Sequence, residues 1–245
     1  MKCLILAAGY ATRLYPLTEN FPKPLLEVND KTIIDWLIED LNSLNIIDEY
    51  YIVTNHKYVE HFNKWNHFSN LKVIDDGTIE NSSRLGAVKD IELVIKKENI
   101  NDDLLIVAGD NLLDFSLKNY INYFININTS CLIYYCENNI DKLRKTGVAQ
   151  IDDNDVVVSM VEKPQEPKNN NVIPPFYIIK KDDLRFINEA IKDGINVDAP
   201  GSLISYLVSK TKVHAYKMDG NRYDIGSIDS YEEAKNNYKG IKNIN

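Results

Sequence analysis

Cysteine is scarce in this chain: Cys3, Cys131 and Cys136 are the whole complement. An odd number set in strand-like apolar runs makes a poor disulfide framework and points to core positions in a reducing, cytoplasmic setting. Long hydrophobic runs are missing too, and none approaches the ~20 residues that a membrane-spanning helix needs. The opening MKCLILAAGY starts like a secretory leader, but its apolar stretch is short and Arg13 and Lys23 follow in a loop, so residues 2–8 read as a buried strand. The four histidines, His56, His61, His67 and His214, lack the paired spacing of zinc ligands. There is no G-x-G-x-x-G fingerprint, no Gly-Lys-Ser/Thr ending of a P-loop, no Ser-His-Asp set and no internal repeat. Excess basic charge is absent as well. The formal net charge of −8 argues against general affinity for nucleic acid or an anionic membrane, yet allows a local basic pocket for a small anion.

What is present is globular. The chain has 245 residues, 44% hydrophobic and 26% charged, enough for one large domain or two small ones without staples. Short apolar runs alternate with amphipathic stretches. Strands are expected at 3–8, 50–54, 71–75 and 104–110, with helical stripes through Ile33, Leu37, Leu41 and Leu44, through Val59, Phe62 and Trp65, and through Leu85, Val88, Ile91 and Ile95. Thr32 and Asp30 are the candidate caps of the first helix. This alternation predicts a parallel sheet covered by helices.

After residue 115 the strand-like runs 131–136, 146–152, 156–163, 175–181 and 212–218 follow one another more closely. Helices are expected near 183–192, 202–210 and 228–237. The fold class predicted is α/β: a Rossmann-like mixed, mostly parallel sheet flanked by helices in a single domain, 1–245, becoming mixed towards the C-terminus. Residues 164–171 read as a flexible loop and 239–245 as a frayed tail.

The most informative segment is LAAGYATRLYPLTENFPKPLLEV, residues 6–28. A small-residue turn (Ala7, Ala8, Gly9, Ala11) directly follows a buried strand, where backbone N–H groups can face phosphates. Pro16, Pro22 and Pro24 forbid a continuing helix, leaving a braced loop that carries Arg13 and Lys23. Two fixed cations beside exposed amides suit a triphosphate. Further on, VAGDN (107–111) ends a strand with Asp110. A carboxylate there faces the ligand crevice and can take Mg²⁺, or can simply cap the next loop.

Residues 6–25 resemble the signature of the sugar-1-phosphate nucleotidylyltransferases, L-A-A-G-x-G-T-R-L-x-P-L-T followed by P-K-P-L, with Ala11 where many members carry a second glycine. If that position needs φ > 0, alanine costs on the order of 1 kcal/mol. The resemblance implies the nucleotide-diphospho-sugar transferase fold, with a nucleotide-binding half (1–115) and an acceptor-binding half (116–240). It also implies Mg²⁺ held by Asp110 and by Asp224 of YDIG (223–226). Arg13 and Lys23 are the catalytic cations. Ala8, Gly9, Tyr10, Ala11 and Thr12 then bind the nucleotide, as do Asn81, as reader of the base edge, and Gly86, packed on base or ribose. VEKP (161–164) supplies Glu162 for sugar hydroxyls and Lys163 for the acceptor phosphate, and Gly147 of TGVA takes the place where backbone approaches the sugar.

The activity implied is transfer of a nucleoside monophosphate from an NTP to a sugar-1-phosphate, releasing pyrophosphate, for nucleotide-sugar and cell-surface polysaccharide synthesis. Pro174-Pro175 departs from the family's G-L/I-Y-x-F-like segment. The bland reading is a rigid edge strand; the sharper one is a reshaped acceptor pocket lined by Phe176 or Tyr177. It keeps a second reading open: a CTP-dependent cytidylyltransferase for a non-sugar phosphate such as phosphocholine. A third reading is a non-catalytic nucleotide sensor on the same fold. Partners expected are small molecules, with no nucleic acid and no membrane; apolar helix faces are compatible with a homo-oligomer. The length leaves no room for the extra C-terminal domain of bifunctional members.

Overall fold

The computed structural model describes residues 1–242. In chain order the elements are β1 (Lys2–Leu6), β2 (Glu27–Val28), β3 (Lys31–Thr32), α1 (Ile33–Ser43), β4 (Glu49–Thr54), α2 (Val59–Trp65), β5 (Leu71–Asp75), α3 (Ala87–Lys97), β6 (Leu104–Ala108), β7 (Asn111–Leu113), α4 (Lys118–Ile127) and β8 (Cys131–Cys136). There follow α5 (Ile140–Leu143), β9 (Gly147–Ile151), β10 (Val157–Glu162), β11 (Asn171–Ile173), β12 (Phe176–Ile179), α6 (Arg185–Lys192), α7 (Pro200–Lys210), β13 (His214–Lys217), β14 (Arg222–Asp224) and α8 (Ile228–Asn237). The chain forms two compact units, and it passes between them more than once. The first takes Met1–Arg84, Ala108–Asn119 and the segment from Asp219; the second takes Leu85–Val107 and Tyr120–Met218.

In the first unit β1, β4 and β5 are parallel neighbours, with Leu4 opposite Tyr51 and Ile52 opposite Val73. Their runs are apolar on both faces, and Cys3, Leu4, Ile5, Ile52 and Val53 are fully buried. Parallel strands need a crossover, and α1 supplies one by burying Ile33, Ile34, Leu37, Ile38 and Leu41. Of the two candidate caps, Thr32 is the one used. Its hydroxyl accepts from the Asp35 N–H, and the Asp35 carboxylate accepts from the Thr32 N–H, a reciprocal box that satisfies two orphan donors. Leu14, Leu26, Val28, Ile33, Leu112, Ile225, Tyr231, Ala234 and Tyr238 form one cluster. It ties the loop after β1 to the antiparallel ribbon β7–β14 and to α8, so residues distant in sequence share one rigid support. The expected tail begins at Lys239. Its last three residues lie outside the described ones, while the Lys242 ammonium donates to Asp114 at 2.6 Å, so the chain is pinned there rather than frayed.

In the second unit the strand order is β10-β9-β11-β8-β12-β6, with β13 added to β8 in parallel. The other pairings are antiparallel, so the mixing expected towards the C-terminus lies here. Helix α4 went unrecognised in the sequence because its asparagine-rich run KNYINYFINI hides the buried stripe Tyr120, Ile121 and Phe124. The Tyr120 hydroxyl donates to the Cys131 carbonyl at 2.8 Å and accepts from the Ile178 N–H at 3.1 Å. Strand β12 lies between β6 and β8, so it is not the edge strand that Pro174-Pro175 suggested. Both prolines precede the ladder, where no donor is lost. Helix α7 starts on Pro200 with Ala199 as N-cap, two residues before the expected 202, because proline is pre-organised for the first helical position. All three cysteines are free thiols; Cys3 and Cys131 are core residues, but Cys136 is exposed.

Candidate active site

The loop after β1 is held from below. Gly109 donates its N–H to the Leu6 carbonyl at 3.0 Å, and Asn55, fully buried at the end of β4, donates from Nδ2 to the Ala8 carbonyl at 3.1 Å. Asn55 was missed in the sequence because a lone asparagine after a strand carries no signal. Tyr10 is buried. Its hydroxyl lies 3.3 Å from Thr78 Oγ1, and Asp76 fixes Thr78 in turn. The left-handed position of the loop is Ala11, at φ 45° and ψ 40°, not Gly9, where an added Cβ would meet nothing within 4 Å. Alanine there costs on the order of 1–2 kcal/mol, offset in part because its methyl packs on the cluster that holds the loop. Thr18 Oγ1 closes the turn on the Ala11 carbonyl at 2.8 Å. Thr12 opens a short 3₁₀ turn, and exposed Arg13 on that turn has no hydrogen bond or ion pair among the described residues.

Lys23 points inward from the Pro22–Pro24 bend. Its Nζ donates to Asp110 Oδ2 at 2.5 Å and to the Ile225 carbonyl at 2.7 Å. Asp110 Oδ1 accepts from Asn111 Nδ2 at 2.7 Å. Arg222 Nη1 donates to Asn111 Oδ1 at 2.5 Å, and its Nη2 donates to Asp224 Oδ2 at 3.3 Å. Burial pushes the Asp110 carboxyl up, but the Lys23 charge and hydrogen bond, with Arg222 beyond, outweigh it and hold the group below the usual carboxylate range. Among the described residues no group of three or more His, Cys, Asp or Glu could hold a metal. The available donors are the carboxylates Asp110 and Asp224. Asp224 lies opposite Asn111, the neighbour of Asp110, across the ribbon. Such a pair fits Mg²⁺, which binds through one or two carboxylates and fills its remaining positions with water and phosphate oxygens. The Lys23 ammonium on Asp110 stands where a cation is welcome.

In the second unit Glu162 lies directly across the β9–β10 ladder from Gly147. A Cβ at Gly147 would come 2.5 Å from Met160 Cε and 3.0 Å from Glu162 Oε2, and one at Gly201 would overlap the Glu162 carboxylate. The glycine at 147 therefore makes room first for Met160 and then for Glu162, where the sequence suggested room for a ligand. Burial raises the Glu162 pKa, and Lys163 only partly counters it. An acid with a raised folded pKa binds more protons folded than unfolded, so its ionisation weakens the fold as pH rises past about 4.3. Glu162→Gln is accordingly expected to raise Tm at pH 7.5 and to leave it unchanged near pH 4. Scanning calorimetry reads the difference, and a gain of equal size at both pH values would refute the argument.

Lys163 is exposed and left-handed, with φ 51°, a conformation uncommon for a residue other than glycine, asparagine or aspartate. Tyr177 is only 2% exposed. Asn81 is exposed and accepts from Arg84 Nη1 through its main-chain and side-chain oxygens. Gly86 has φ 92°, and a Cβ there would come 2.6 Å from the Val197 carbonyl, so close backbone approach alone accounts for that glycine.

Fold and site together define an α/β protein in which a cation of the loop after β1, Lys23, meets the carboxylate at the end of β6, Asp110. The chain belongs to the nucleotidyl transferase family, whose model matches residues 2–240. It is 24% identical over 226 residues to the bifunctional protein GlmU of Methanocaldococcus jannaschii, covering 92% of this chain and 51% of that one. It is also 24% identical over 247 residues to the UTP–glucose-1-phosphate uridylyltransferase AglF of Haloferax volcanii, covering 96% and 95%. The chain thus spans about half the length of GlmU relatives and nearly all of AglF. Among solved structures, a UDP-glucose pyrophosphorylase in complex with UDP-glucose superposes with a TM-score of 0.80 at 22% identity, covering 97% of each chain, and so shares the fold.

Proposed function

We propose that the protein transfers a nucleoside monophosphate from an NTP to a sugar-1-phosphate, forming a nucleotide sugar and pyrophosphate. The observation that carries this reading is the meeting of three separate motifs at one nitrogen. Lys23 of PKPL bonds Asp110 of VAGDN and the Ile225 carbonyl of YDIG, across 87 and 202 residues of sequence. The uridylyltransferase relative that matches nearly end to end makes UTP and glucose 1-phosphate the first pair to try.

The nucleophile needs little activation, because a phosphomonoester with a second pKa near ~6 is largely dianionic at pH 7. The obstacle is repulsion between two polyanions, so catalysis rests on cations and alignment. Arg13, unpartnered among the described residues, takes the leaving β- and γ-phosphates, and the turn from Ala8 to Thr12 offers its amides to the nucleotide. Lys23 moves from Asp110 to the α-phosphate. Asn81 reads the base edge. Lys163 binds the acceptor phosphate, while the Glu162 carboxylate, with no hydrogen bond among the described residues, accepts from sugar hydroxyls. Asp110 and Asp224 would hold Mg²⁺, which supplies charge neutralisation on the phosphates. The three free thiols suit a reducing cytoplasmic setting, where such a product would feed polysaccharide synthesis.

Pyrophosphate release across all common NTPs and a set of phosphorylated acceptors tests the proposal. Turnover with at least one sugar-1-phosphate, abolished by chelator, is expected. Turnover confined to phosphocholine or another non-sugar phosphate, or nucleotide binding without turnover, would overturn it.

A further inference from the structure

Arg222 has no part in the binding of nucleotide or acceptor proposed above, yet its side chain, 11% exposed, lies among the residues that do. Strand β14 pairs with β7 so that Asp224 faces Asn111 and Arg222 faces Leu113. Arg222 and Asp224, two apart, share one face of their strand, and Asn111 is within diagonal reach. The fork uses both arms: Nη1 to Asn111 Oδ1 at 2.5 Å and Nη2 to Asp224 Oδ2 at 3.3 Å. Asn111 is buried, and its amide passes the restraint to Asp110 Oδ1 at 2.7 Å.

We propose that Arg222 is a positioning residue, holding Asp224 directly and Asp110 through Asn111, and keeping the two carboxylates closed against protein cations until ligand arrives. The proposal rests on the assignment of Asp110 and Asp224 as the metal-holding pair. With Lys23 and Arg222 in place the four side chains sum to no net charge. Without Arg222 a net negative charge is left between the ribbon and the β1 loop. Any divalent cation entering the free protein competes with both protein cations for the same oxygens. A lysine at 222 would keep the charge but, as a point donor, could not span Asn111 and Asp224 together.

The test is binding of Mn²⁺ alone, followed by electron paramagnetic resonance of the free ion, in the wild type and in Arg222→Gln, Lys23→Gln and Arg222→Lys. Without nucleotide, both glutamine variants are expected to bind Mn²⁺ at least about tenfold more tightly than wild type, since each loses a nearby positive charge. Arg222→Lys is expected to stay within about threefold of wild type, because its charge is kept. A variant damaged only in its folding would bind more weakly, not more tightly. If Lys23→Gln tightens binding and Arg222→Gln does not, the role of Arg222 is overturned while the carboxylate assignment stands. If Asp224→Asn, added to Arg222→Gln, leaves affinity unchanged, the assignment itself falls, and the proposal with it. Should Arg222→Gln fail to fold, Arg222→Lys with a non-hydrolysable UTP analogue decides: a loss of at least about threefold in Mn²⁺ affinity is expected from the broken fork, and unchanged affinity overturns the proposal.

Discussion

Lys23→Ala and Asp110→Ala are each expected to lower kcat by a hundredfold or more, about 2.7 kcal/mol of transition-state stabilisation, the scale set by loss of one preorganised charge at a reacting centre. Lys23 makes the larger case. Its ammonium sits on Asp110 Oδ2 and the Ile225 carbonyl, and its stem is oriented by the flanking Pro22 and Pro24. Truncation removes the charge that offsets repulsion between the two substrates. Lys23→Arg is expected to recover little, because a planar guanidinium does not reproduce a compact ammonium aimed between a carboxylate and a carbonyl. Steady-state pyrophosphate release by folded protein, checked by circular dichroism, is the measurement. Near-normal turnover in both alanine variants would remove the site from the active centre.

Gly201→Ala is expected to raise KM for the acceptor at least tenfold, by analogy with the loss of a well-placed charged hydrogen bond, while leaving the fold intact. The added methyl would occupy the space of the Glu162 carboxylate. The atom in its way is the end of a flexible side chain, so Glu162 swings aside at little cost, and alanine inside α7 gains up to about 1 kcal/mol of helix propensity over glycine. Stability and acceptor binding should therefore part company: Tm unchanged or higher, KM for the acceptor higher, KM for the NTP unaffected. Acceptor and nucleotide saturation curves, run beside a thermal melt, read all three. An unchanged acceptor KM would mean that Glu162 does not touch the acceptor from this position.

Much of the local architecture was legible from the chain. The continuous apolar runs of β1, β4 and β6 and the stripes of α1 and α3 follow directly from burial periodicity, and Thr32 announced a cap. Helix α4 was not legible, because asparagines dilute its apolar stripe. The ribbon β7–β14 was not either, since strands of three residues are too short to show any period. Pro174-Pro175 misled because a proline's place in a sheet depends on which strands flank it, and that is a property of topology.

The sequence by itself determined the inventory of candidate residues. It held the braced loop with Arg13 and Lys23, the strand-end Asp110, Glu162 beside Lys163, and Asp224 before a glycine. Those are local facts, written in residue type and spacing. Only the tertiary structure decided which atoms meet. It made Ala11 rather than Gly9 the left-handed residue of the loop, gave Glu162 its room chiefly through Gly201, and brought Asn55 and Arg222 into the frame. These pairings join residues tens to hundreds of positions apart. They form because a shared apolar cluster docks the loop, the ribbon and the last helix together. A contact that exists only after such docking leaves no periodic trace in the segments that make it.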